Sequence, residues 1–392
     1  MLYPPTVIDL DANAGVTLDP RVRTGLVQLL EHADLLGNPS SVHRRGQAGR
    51  AIVEDARRRV AAAVGADPLG ITFTSGGTEA DALAILGGAE ALRAAGRPSG
   101  ILTSPLEHPA VIGAVDALRR RGHSVAMVPI DGDGRIDPIE VARTLVQHPD
   151  VGLVSIMAAN HELGNAYDLR AVVDAVREVS PDVWVHTDAV QAFGKLPIDF
   201  AGWGVDMLSV SSHKIGGPPG AGALVSRRTQ RLAPLWYGGQ HERGRRPGSE
   251  GWLALHGFGL AAELAAAELG VRGRTCRLAR DRLLDGLRAL GARIHGDLER
   301  HVGNTVNAAF EGCDGQLLMM ALDVEGVAIS TGAACSSGSL EPSPVLLALG
   351  LSPERAREAV RFSMPPAIEL SQVEQVLACL PKIVSRVRGS VS

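Results

Sequence analysis

The sequence predicts an α/β protein with a large domain built on a mostly parallel sheet and a smaller α+β domain. Between residues 50 and 225, short β-rich apolar runs alternate with longer stretches of helical periodicity, as in strands joined by helical crossovers. The pattern changes after a turn-rich segment at 237–251. With 392 residues and 45% hydrophobic content, the chain is long enough for two or three domains of about 150 residues. We place the large domain at 15–257 and the small one at 1–14 and 258–392.

Seven short runs in the first part of the chain are the predicted strands. They are rich in valine, isoleucine and leucine, and turns or helical stretches separate them. The runs span 71–74, 101–104, 125–130, 151–157, 183–186, 207–210 and 223–226. Strands that are apolar throughout are buried on both faces, as in a parallel sheet covered by helices. Ligands of such sheets bind at the carboxyl ends of the strands.

The second part of the chain begins with a long helical stretch from 258 to about 290. Strand patterns follow at 304–310 and 327–330, a helical pattern lies between them at 316–322, and a last helix is predicted at 370–388. No internal repeat or low-complexity linker interrupts the sequence. We therefore expect the two domains to share a tight interface.

Charge and cysteine content narrow the function. Lys and Arg total 39 against 43 Asp and Glu, a net charge of −4, so the chain lacks the basic excess with which nucleic-acid binders displace counterions. The sequence contains no run of about 18 apolar residues, which a membrane-spanning helix would need. The four cysteines, at 276, 313, 335 and 379, form no CxxC pair of the kind that binds zinc or iron–sulfur clusters. These features predict a cytoplasmic enzyme with reduced thiols, no bound metal and a small-molecule substrate.

Lysine is rare in this chain. Among the 39 cations only Lys195, Lys214 and Lys382 are lysines, so chemistry that needs a primary amine has three candidates. Lys214 follows the strand pattern at 207–210 and precedes a glycine-rich loop at 216–220. Burial and nearby charge at such a place lower the pKa of an amine and make it nucleophilic. A surface position is the usual alternative for a lysine, and the apolar strand before Lys214 argues against it.

Two further motifs precede Lys214. The strand at 71–74 runs into Ser75-Gly76-Gly77-Thr78 and a helix start, where free backbone amides and the helix dipole favour a phosphate. An ordinary βα turn explains this pattern equally well. Asp188 lies just beyond the strand at 183–186, where a carboxylate would keep a heteroaromatic nitrogen protonated, although taken alone a helix N-cap explains it better. Together, a phosphate cradle, an acid and a lysine predict a pyridoxal phosphate site.

Several longer motifs resemble those of the cysteine desulfurases of the IscS/NifS type, which are class V members of the fold-type I pyridoxal phosphate enzymes. The motifs are TSGGTEA (74–80), LEHPA (106–110), HTDAVQAFGKLPID (186–199), SSHKIGGPPGAGAL (211–224), HERGRRPGS (241–249), STGAACSSGSLEPS (330–343) and VRFS (360–363). The resemblance runs from 11 to about 363, in the order and at the spacing of the family. It implies a fold-type I fold, pyridoxal 5′-phosphate as cofactor, L-cysteine as substrate and a homodimer.

The resemblance also implies a role for each matching residue. Lys214 would bind the cofactor as a Schiff base, Asp188 would pair with the pyridine nitrogen, and His108 would stack on the ring and help to move protons. Gln191 would contact the phenolic oxygen. Arg361 would bind the substrate carboxylate through its planar fork. The phosphate would be held by Gly77, Thr78, Ser211 and His213 and, across a dimer interface, by Ser249.

Cys335 is the candidate that receives the sulfur. It lies in a run of small polar residues at 330–339, and such a run buries little apolar surface. This predicted loop resembles that of the group I desulfurases, whose cysteine travels between active site and acceptor. The resemblance implies conversion of L-cysteine to L-alanine with a persulfide on Cys335. An acceptor protein would then take the sulfur: an iron–sulfur scaffold, a tRNA-thiolation protein, a DNA-modification partner or another carrier. No direct contact with nucleic acid or membrane is expected.

Three segments depart from the pattern of the family. The family commonly has a second asparagine where this chain has His161, between Asn160 and Glu162. The histidine keeps a hydrogen-bond donor near the cofactor, but its side chain is bulkier than that of asparagine; drift without consequence is the alternative. The segments 11–15 and 364–366 also differ, close to the expected substrate side. Related activities therefore stay open: selenocysteine lyase, cystine lyase, aminotransferase, or a sulfur-delivery partner with little turnover.

Overall fold

A seven-stranded sheet forms the centre of the larger part of the molecule. The computed structural model describes residues 7–227, 230–331 and 341–391. The strands of this sheet are β2 (Ile71–Thr74), β3 (Gly100–Thr103), β4 (Val125–Met127), β5 (Val151–Ser155), β6 (Trp184–Asp188), β7 (Met207–Ser211) and β8 (Gly222–Ser226). Their order is β2-β8-β7-β6-β5-β3-β4. β8 runs antiparallel to β2 and β7, and every other neighbouring pair in this sheet is parallel.

Helices bury both faces of the sheet, because consecutive side chains of each strand point to opposite faces. Leu153 and Met207 pack in one hydrophobic core, while the next residues, Val154 and Leu208, pack in another. The helices of this part are α1 (Pro20–Glu31), α2 (Arg44–Ala63), α3 (Gly77–Ala82), α4 (Gly88–Ala94), α5 (Pro109–Arg120), α6 (Pro138–Gln147), α7 (Leu169–Val179), α8 (Phe200–Trp203) and α9 (Trp252–Ala267).

The smaller part combines two small sheets with helices. One sheet is antiparallel, in the order β12 (Ala359–Ser363), β10 (Thr305–Ala309), β9 (Arg293–His295), and the other pairs β1 (Ile8–Asp9) with β11 (Val327–Ala328) in parallel. Its helices are α10 (Leu269–Ala289), α11 (Gly315–Val324), α12 (Pro344–Ala348), α13 (Pro353–Arg357) and α14 (Leu370–Val391). The predicted fold class, a mostly parallel sheet with a smaller α+β part, is confirmed.

The long helix predicted from 258 to about 290 is two helices. The chain bends by 73° between α9 and α10, where Glu268 accepts hydrogen bonds from Arg21 and Arg272. Phe258 of α9 packs in the core of the large sheet, whereas Cys276 of α10 packs in the second core. The boundary at 257/258 stays a prediction, and from this packing we propose that the smaller domain begins at the bend instead.

The described residues contain neither a single membrane-spanning helix nor a cluster of metal-binding side chains. Within them, no single helix combines the length and the hydropathy that a membrane crossing needs; α9 and α10 do so only when taken together across their bend. The same residues contain no group of three or more His, Cys, Asp or Glu side chains placed to hold a metal ion.

Candidate active site

Several strand ends of the large sheet meet around Lys214. β7 ends at Ser211, and one turn of 3-10 helix, Ser212–Lys214, follows it. Asp188 is the last residue of β6, and His108 caps α5 after β3. These strands are parallel, so their carboxyl ends lie at one edge of the sheet, the edge at which ligands of such sheets bind.

The amine of Lys214 lies beside the N-terminal segment. Its Nζ donates to the carbonyl oxygens of Asn13 at 2.7 Å and Ala14 at 2.9 Å. The positive charge of Lys214 contributes to lowering the pKa of His108 and opposes the rise in the pKa of Asp188. The structure therefore brings the predicted lysine, aspartate and histidine into one site.

Asp188 is a buried carboxylate and not a helix cap. Its Oδ1 accepts the backbone N–H of Val190 at 2.8 Å, and in the described chain no helix begins between β6 and Phe200. Burial raises the pKa of Asp188, while the backbone hydrogen bond and the charges of His161 and Lys214 oppose the rise. A carboxylate in these surroundings favours a cation next to it, such as a protonated ring nitrogen.

A second buried carboxylate, Asp81, interacts with Asp188 and was missed from the sequence. Asp81 is fully buried on α3, and burial together with the charge of Asp188 raises its pKa. His186 Nε2 lies 3.0 Å from Ser209 Oγ and 3.7 Å from Asp81 Oδ1. Burial lowers the pKa of His186 to about 3, so its imidazole is neutral at pH 7. His186 is the first residue of the quoted motif HTDAVQAFGKLPID, and Asp81 directly follows TSGGTEA, but only the fold shows that they meet.

The glycine turn before α3 leaves room for an anion. No atom lies within 4 Å of the position a Cβ would take on Gly76. On Gly77, a Cβ would lie 2.7 Å from Cγ2 of Val190, so a side chain there would displace the turn. Thr78 is exposed at the start of α3. The turn is thus open where a phosphate would bind and closely packed on the other side.

Ser211 and His213 extend the same edge of the sheet. Ser211 Oγ lies 2.9 Å from Nδ1 of His213. Burial and the charge of Lys214 lower the pKa of His213 to about 4, so its ring is neutral at pH 7. A hydroxyl and a neutral imidazole are both suitable donors to a phosphate.

His108 and His161 pack edge to face, with 5.1 Å between ring centroids and 74° between ring planes. His108 Nδ1 accepts the backbone N–H of Ala110 at 3.1 Å. Burial, His161 and Lys214 lower the pKa of His108 to about 3, which leaves its hydrogen on Nε2 at pH 7. Nδ1 of His161 is buried and has no hydrogen-bond partner among the described residues. The residue that departs from the family pattern therefore presents a polar atom inside the site.

Gln191 belongs to a network of amides around Asn13. Gln191 Nε2 donates to the carbonyl oxygen of Asn13 at 2.9 Å. Lys195, which the sequence analysis did not assign to the site, donates to Gln191 Oε1 at 2.5 Å and to Asn13 Oδ1 at 2.7 Å. The signal in the sequence that could have identified Lys195 is the scarcity of lysine. In the structure, two of the three lysines share Asn13 as a hydrogen-bond partner.

Arg361 lies in β12 with its side chain directed to the N-terminal segment. Nη2 donates to Oδ1 of Asp11 at 2.6 Å, and Nη1 donates to the carbonyl oxygen of His161 at 3.0 Å. Its backbone pairs with Ser330, which precedes Cys335 by five positions in the sequence. Arg361 therefore contacts both the site and the described chain before Cys335.

The structure tests the predicted cysteines and Ser249 only in part. Cys335 lies outside the described residues. Cys276 and Cys313 are buried and Cys379 is partly buried, and burial raises the pKa of Cys276 to about 11, so none of the three is an activated thiol. Ser249 is exposed, and its role toward a partner subunit stays a prediction.

The donor set fits pyridoxal phosphate. The open turn at Gly76 suits the phosphate, the buried Asp188 carboxylate suits a ring cation, and the buried Nδ1 of His161 offers a polar contact to a ligand. The amine of Lys214 interacts electrostatically with Asp188 and His108 in the same site, and a covalent anchor requires such an amine. The fold and the site define an enzyme of the fold-type I class.

Comparison with known proteins agrees with this class. The sequence profile of the aminotransferase class-V family matches residues 8–376. A cysteine desulfurase of Cereibacter sphaeroides is 41% identical over 384 residues, which is 97% of this chain and 96% of that protein. The cysteine desulfurase IscS of Pectobacterium atrosepticum is 39% identical over 97% of this chain and 93% of that protein. A solved structure of a NifS-like protein superposes with a TM-score of 0.90 at 32% identity, covering 97% of this chain and 100% of that one.

The chain therefore belongs to the aminotransferase class-V family and, within it, to the cysteine desulfurases of the IscS/NifS type. The resemblance inferred from the motifs is confirmed over nearly the whole length. Enzymes of this family depend on pyridoxal phosphate.

Proposed function

We propose that the chain converts L-cysteine to L-alanine and takes the sulfur on Cys335 as a persulfide. The observation that carries this proposal is that the described chain on both sides of 332–340 is held at the site. Ser330 pairs with Arg361 through backbone hydrogen bonds, and Ser343 Oγ donates to Glu162 Oε2 at 2.5 Å, next to His161. The five peptide units from Ser330 to Cys335 span at most about 18 Å, which limits how far Cys335 lies from the strand that contains Arg361.

The cofactor would be held by the residues already described. Bound pyridoxal phosphate would supply an aldehyde for the Lys214 amine and a ring that accepts electron density from the α-carbon of the substrate. Asp188 would keep the ring nitrogen protonated, and Gln191 would donate to the phenolic oxygen. The phosphate would be bound by Gly77, Thr78, Ser211 and His213.

Lys214 is the residue that we assign to movement of the α-proton. The other candidate, His108, has a pKa of about 3 and its Nδ1 already accepts a backbone N–H, so it is a weak base at pH 7. The same low pKa argues against His108 as the base that takes the thiol proton of Cys335. We propose that His108 packs over the cofactor and donates from Nε2.

Sulfur transfer follows from the thiolate of Cys335. The thiolate attacks the substrate sulfur, and the carbon–sulfur bond breaks with its electron pair going to carbon. Protonation at that carbon, with Lys214 as the proton source, gives L-alanine, and the sulfur stays on Cys335 as a persulfide. Arg361 would bind the substrate carboxylate and so orient the substrate. The Nε of its guanidinium would serve this contact, because it has no hydrogen-bond partner among the described residues.

We further propose a homodimer and a protein as the sulfur acceptor. Ser249 would donate its hydroxyl to the phosphate site of the partner subunit. Two aromatic side chains are exposed where this turn-rich segment begins, Trp236 just before it at 42% and Tyr237 at 88%. Exposed aromatic residues are typical of protein interfaces. A protein is the acceptor that we expect for a sulfur carried on a loop. A loop of small polar residues buries little apolar surface in its own chain, so binding to a partner does not disrupt a hydrophobic core.

The test is product formation by the purified, reconstituted protein. The protein is incubated with L-cysteine and without a thiol reductant. We expect one L-alanine per persulfide, and mass spectrometry of peptides should locate the persulfide on Cys335. Cys379→Ala, which changes a partly buried cysteine of α14, is the matched control and should behave like the wild type. Alanine without persulfide on Cys335, or release from L-selenocysteine but not from L-cysteine, would contradict the proposal.

A further inference from the structure

Lys195 is a second amine at the site, and the proposed function leaves it without a role. It follows β6 and belongs to the turns before α8. Its Nζ and that of Lys214 both donate to Asn13, Lys195 to the side-chain oxygen at 2.7 Å and Lys214 to the carbonyl oxygen at 2.7 Å. Two of the three lysines in the chain thus converge on one residue.

The ammonium of Lys195 determines how two amide side chains are turned. An ammonium only donates hydrogen bonds, so the atoms that face it must be the oxygens of Gln191 and Asn13. The nitrogen of Gln191 then faces the carbonyl oxygen of Asn13, at 2.9 Å, on the side of Lys214. The nitrogen of Asn13 donates to the carbonyl oxygen of His161 and to Thr305 Oγ1. Asn13 Oδ1 has a second donor in Asn304 Nδ2, whereas among the described residues Gln191 Oε1 accepts a hydrogen bond from Lys195 alone.

The charge of Lys195 is not neutralised by an acid. Among the described residues no carboxylate lies within ion-pair distance of its Nζ; the ionisable groups that face it are Lys214, Arg361, Cys276 and His301. Burial, with the charges of Lys214 and Arg361, lowers the pKa of Lys195 to about 7. A buried amine among like charges destabilises the fold, so packing alone does not explain a lysine here.

Lys195 also borders the cavity behind Lys214. Both amines line it, together with Cys276 of α10 and Asn304. The cavity lies where the large sheet meets the smaller domain, and Asn304 Nδ2 donates to Asn13 Oδ1 at 3.2 Å. Lys195 is therefore placed beside the end of Lys214.

We propose that Lys195 is a positioning residue, which holds the amides of Gln191 and Asn13 in the orientation that the cofactor and Lys214 require and adds positive potential beside the Lys214 nitrogen. The inference rests on the proposed function and deepens it. Loss of Lys195 lets the Gln191 amide turn over, which removes a donor to the phenolic oxygen. It also removes a positive charge, so the nitrogen of Lys214 holds its proton to higher pH.

The experiment is a pH titration of the visible absorbance of the reconstituted protein. For Lys195→Met, which keeps the length and removes the charge and the donors, we expect the midpoint to move up by about one pH unit. Lys195→Arg restores donors and charge and should return the midpoint most of the way to the wild-type value. Lys382→Met, on an exposed lysine of α14, is the control and should titrate like the wild type. A Lys195→Met midpoint equal to that of the wild type overturns the inference.

Borohydride reduction followed by peptide mapping separates this inference from the proposed function. In the wild type and in Lys195→Met, we expect the cofactor on Lys214. Label on Lys195, or no label in the wild type, is a failure of the proposed function, whereas label on Lys214 with an unchanged midpoint is a failure of this inference alone. If Lys195→Met does not fold, Lys195→Gln, whose end is polar and uncharged, is subject to the same expectation and the same refutation.

Discussion

Arg361 and Asp11 form an ion pair at the candidate site, with 2.6 Å between Nη2 and Oδ1. The side chain of Arg361 is 3% exposed and that of Asp11 is 26% exposed. The guanidinium also donates to the carbonyl oxygen of His161. The residue that we assign to the substrate carboxylate is thus already oriented by a carboxylate of the protein, from a segment 350 positions away in sequence.

Arg361→Lys removes the planar fork but keeps the charge. We expect the KM for L-cysteine to rise at least about tenfold, roughly 1.4 kcal/mol of lost binding, because an ammonium cannot serve Asp11, His161 and a substrate carboxylate in the same geometry. The visible absorbance of the bound cofactor should not change. Arg282→Lys, on an exposed arginine paired with Glu374, is the control. Equal KM values for the two variants would remove Arg361 from the substrate site.

Lys214→Ala tests the covalent anchor. We expect the variant to lose the visible absorbance of the lysine-bound cofactor and to acquire no label on borohydride reduction, because the amine at the end of β7 is gone. Lys382→Ala should keep both properties. An unchanged absorbance spectrum in Lys214→Ala would mean that another amine is the anchor, and Lys195 is then the candidate that its contacts name.

Cys335→Ala tests the persulfide. We expect the variant to bind the cofactor with unchanged absorbance, because none of the cofactor contacts proposed above involves Cys335. Persulfide on the protein and sulfur transfer to an added thiol should fall to background. Sulfide release at the wild-type rate would show that Cys335 does not receive the sulfur. Cys313→Ala, at a buried cysteine, is measured beside it with a thermal unfolding curve to separate activity from folding.

The sequence was sufficient for those site residues that follow a strand. Lys214 and Asp188 could be placed because an apolar strand before a polar residue puts that residue at the ligand-binding edge of a parallel sheet. The predicted strands match β2 to β8 to within a few residues, since buried strands carry a strong local signal.

Contacts between distant segments could not be predicted. Asp11 reaches Arg361, and Asp81 reaches His186, only because the N-terminal segment and α3 pack against strands far along the chain. The bend at Glu268 escaped for a related reason: it joins two helical sequences without a proline, and its ion-pair partner Arg21 lies in another helix. Periodicity reports local structure, whereas these features depend on tertiary packing.

The buried imidazole of His186 gives a pH dependence of stability with a defined sign. Its pKa is about 3 in the folded protein and about 6.5 in the unfolded chain. The unfolded state therefore binds the proton first. The stabilisation from neutral His186 is complete above pH 6.5 and is lost as the pH falls toward 3, by about 1.4 kcal/mol per pH unit.

His186→Asn isolates this contribution from that of buried acids. Glu107, whose pKa burial raises to about 8, has the opposite sign and gains stability as the pH falls from 8 toward 4.5. We therefore compare the two proteins at each pH by urea unfolding. From pH 6.5 to 5 the wild type should lose about 2 kcal/mol more of its unfolding free energy than His186→Asn, because asparagine keeps polar contacts to Ser155 and Ser209 without titrating. His32→Asn, at an exposed histidine, should lose as much as the wild type. Parallel losses in all three proteins would show that His186 is not held neutral by the fold.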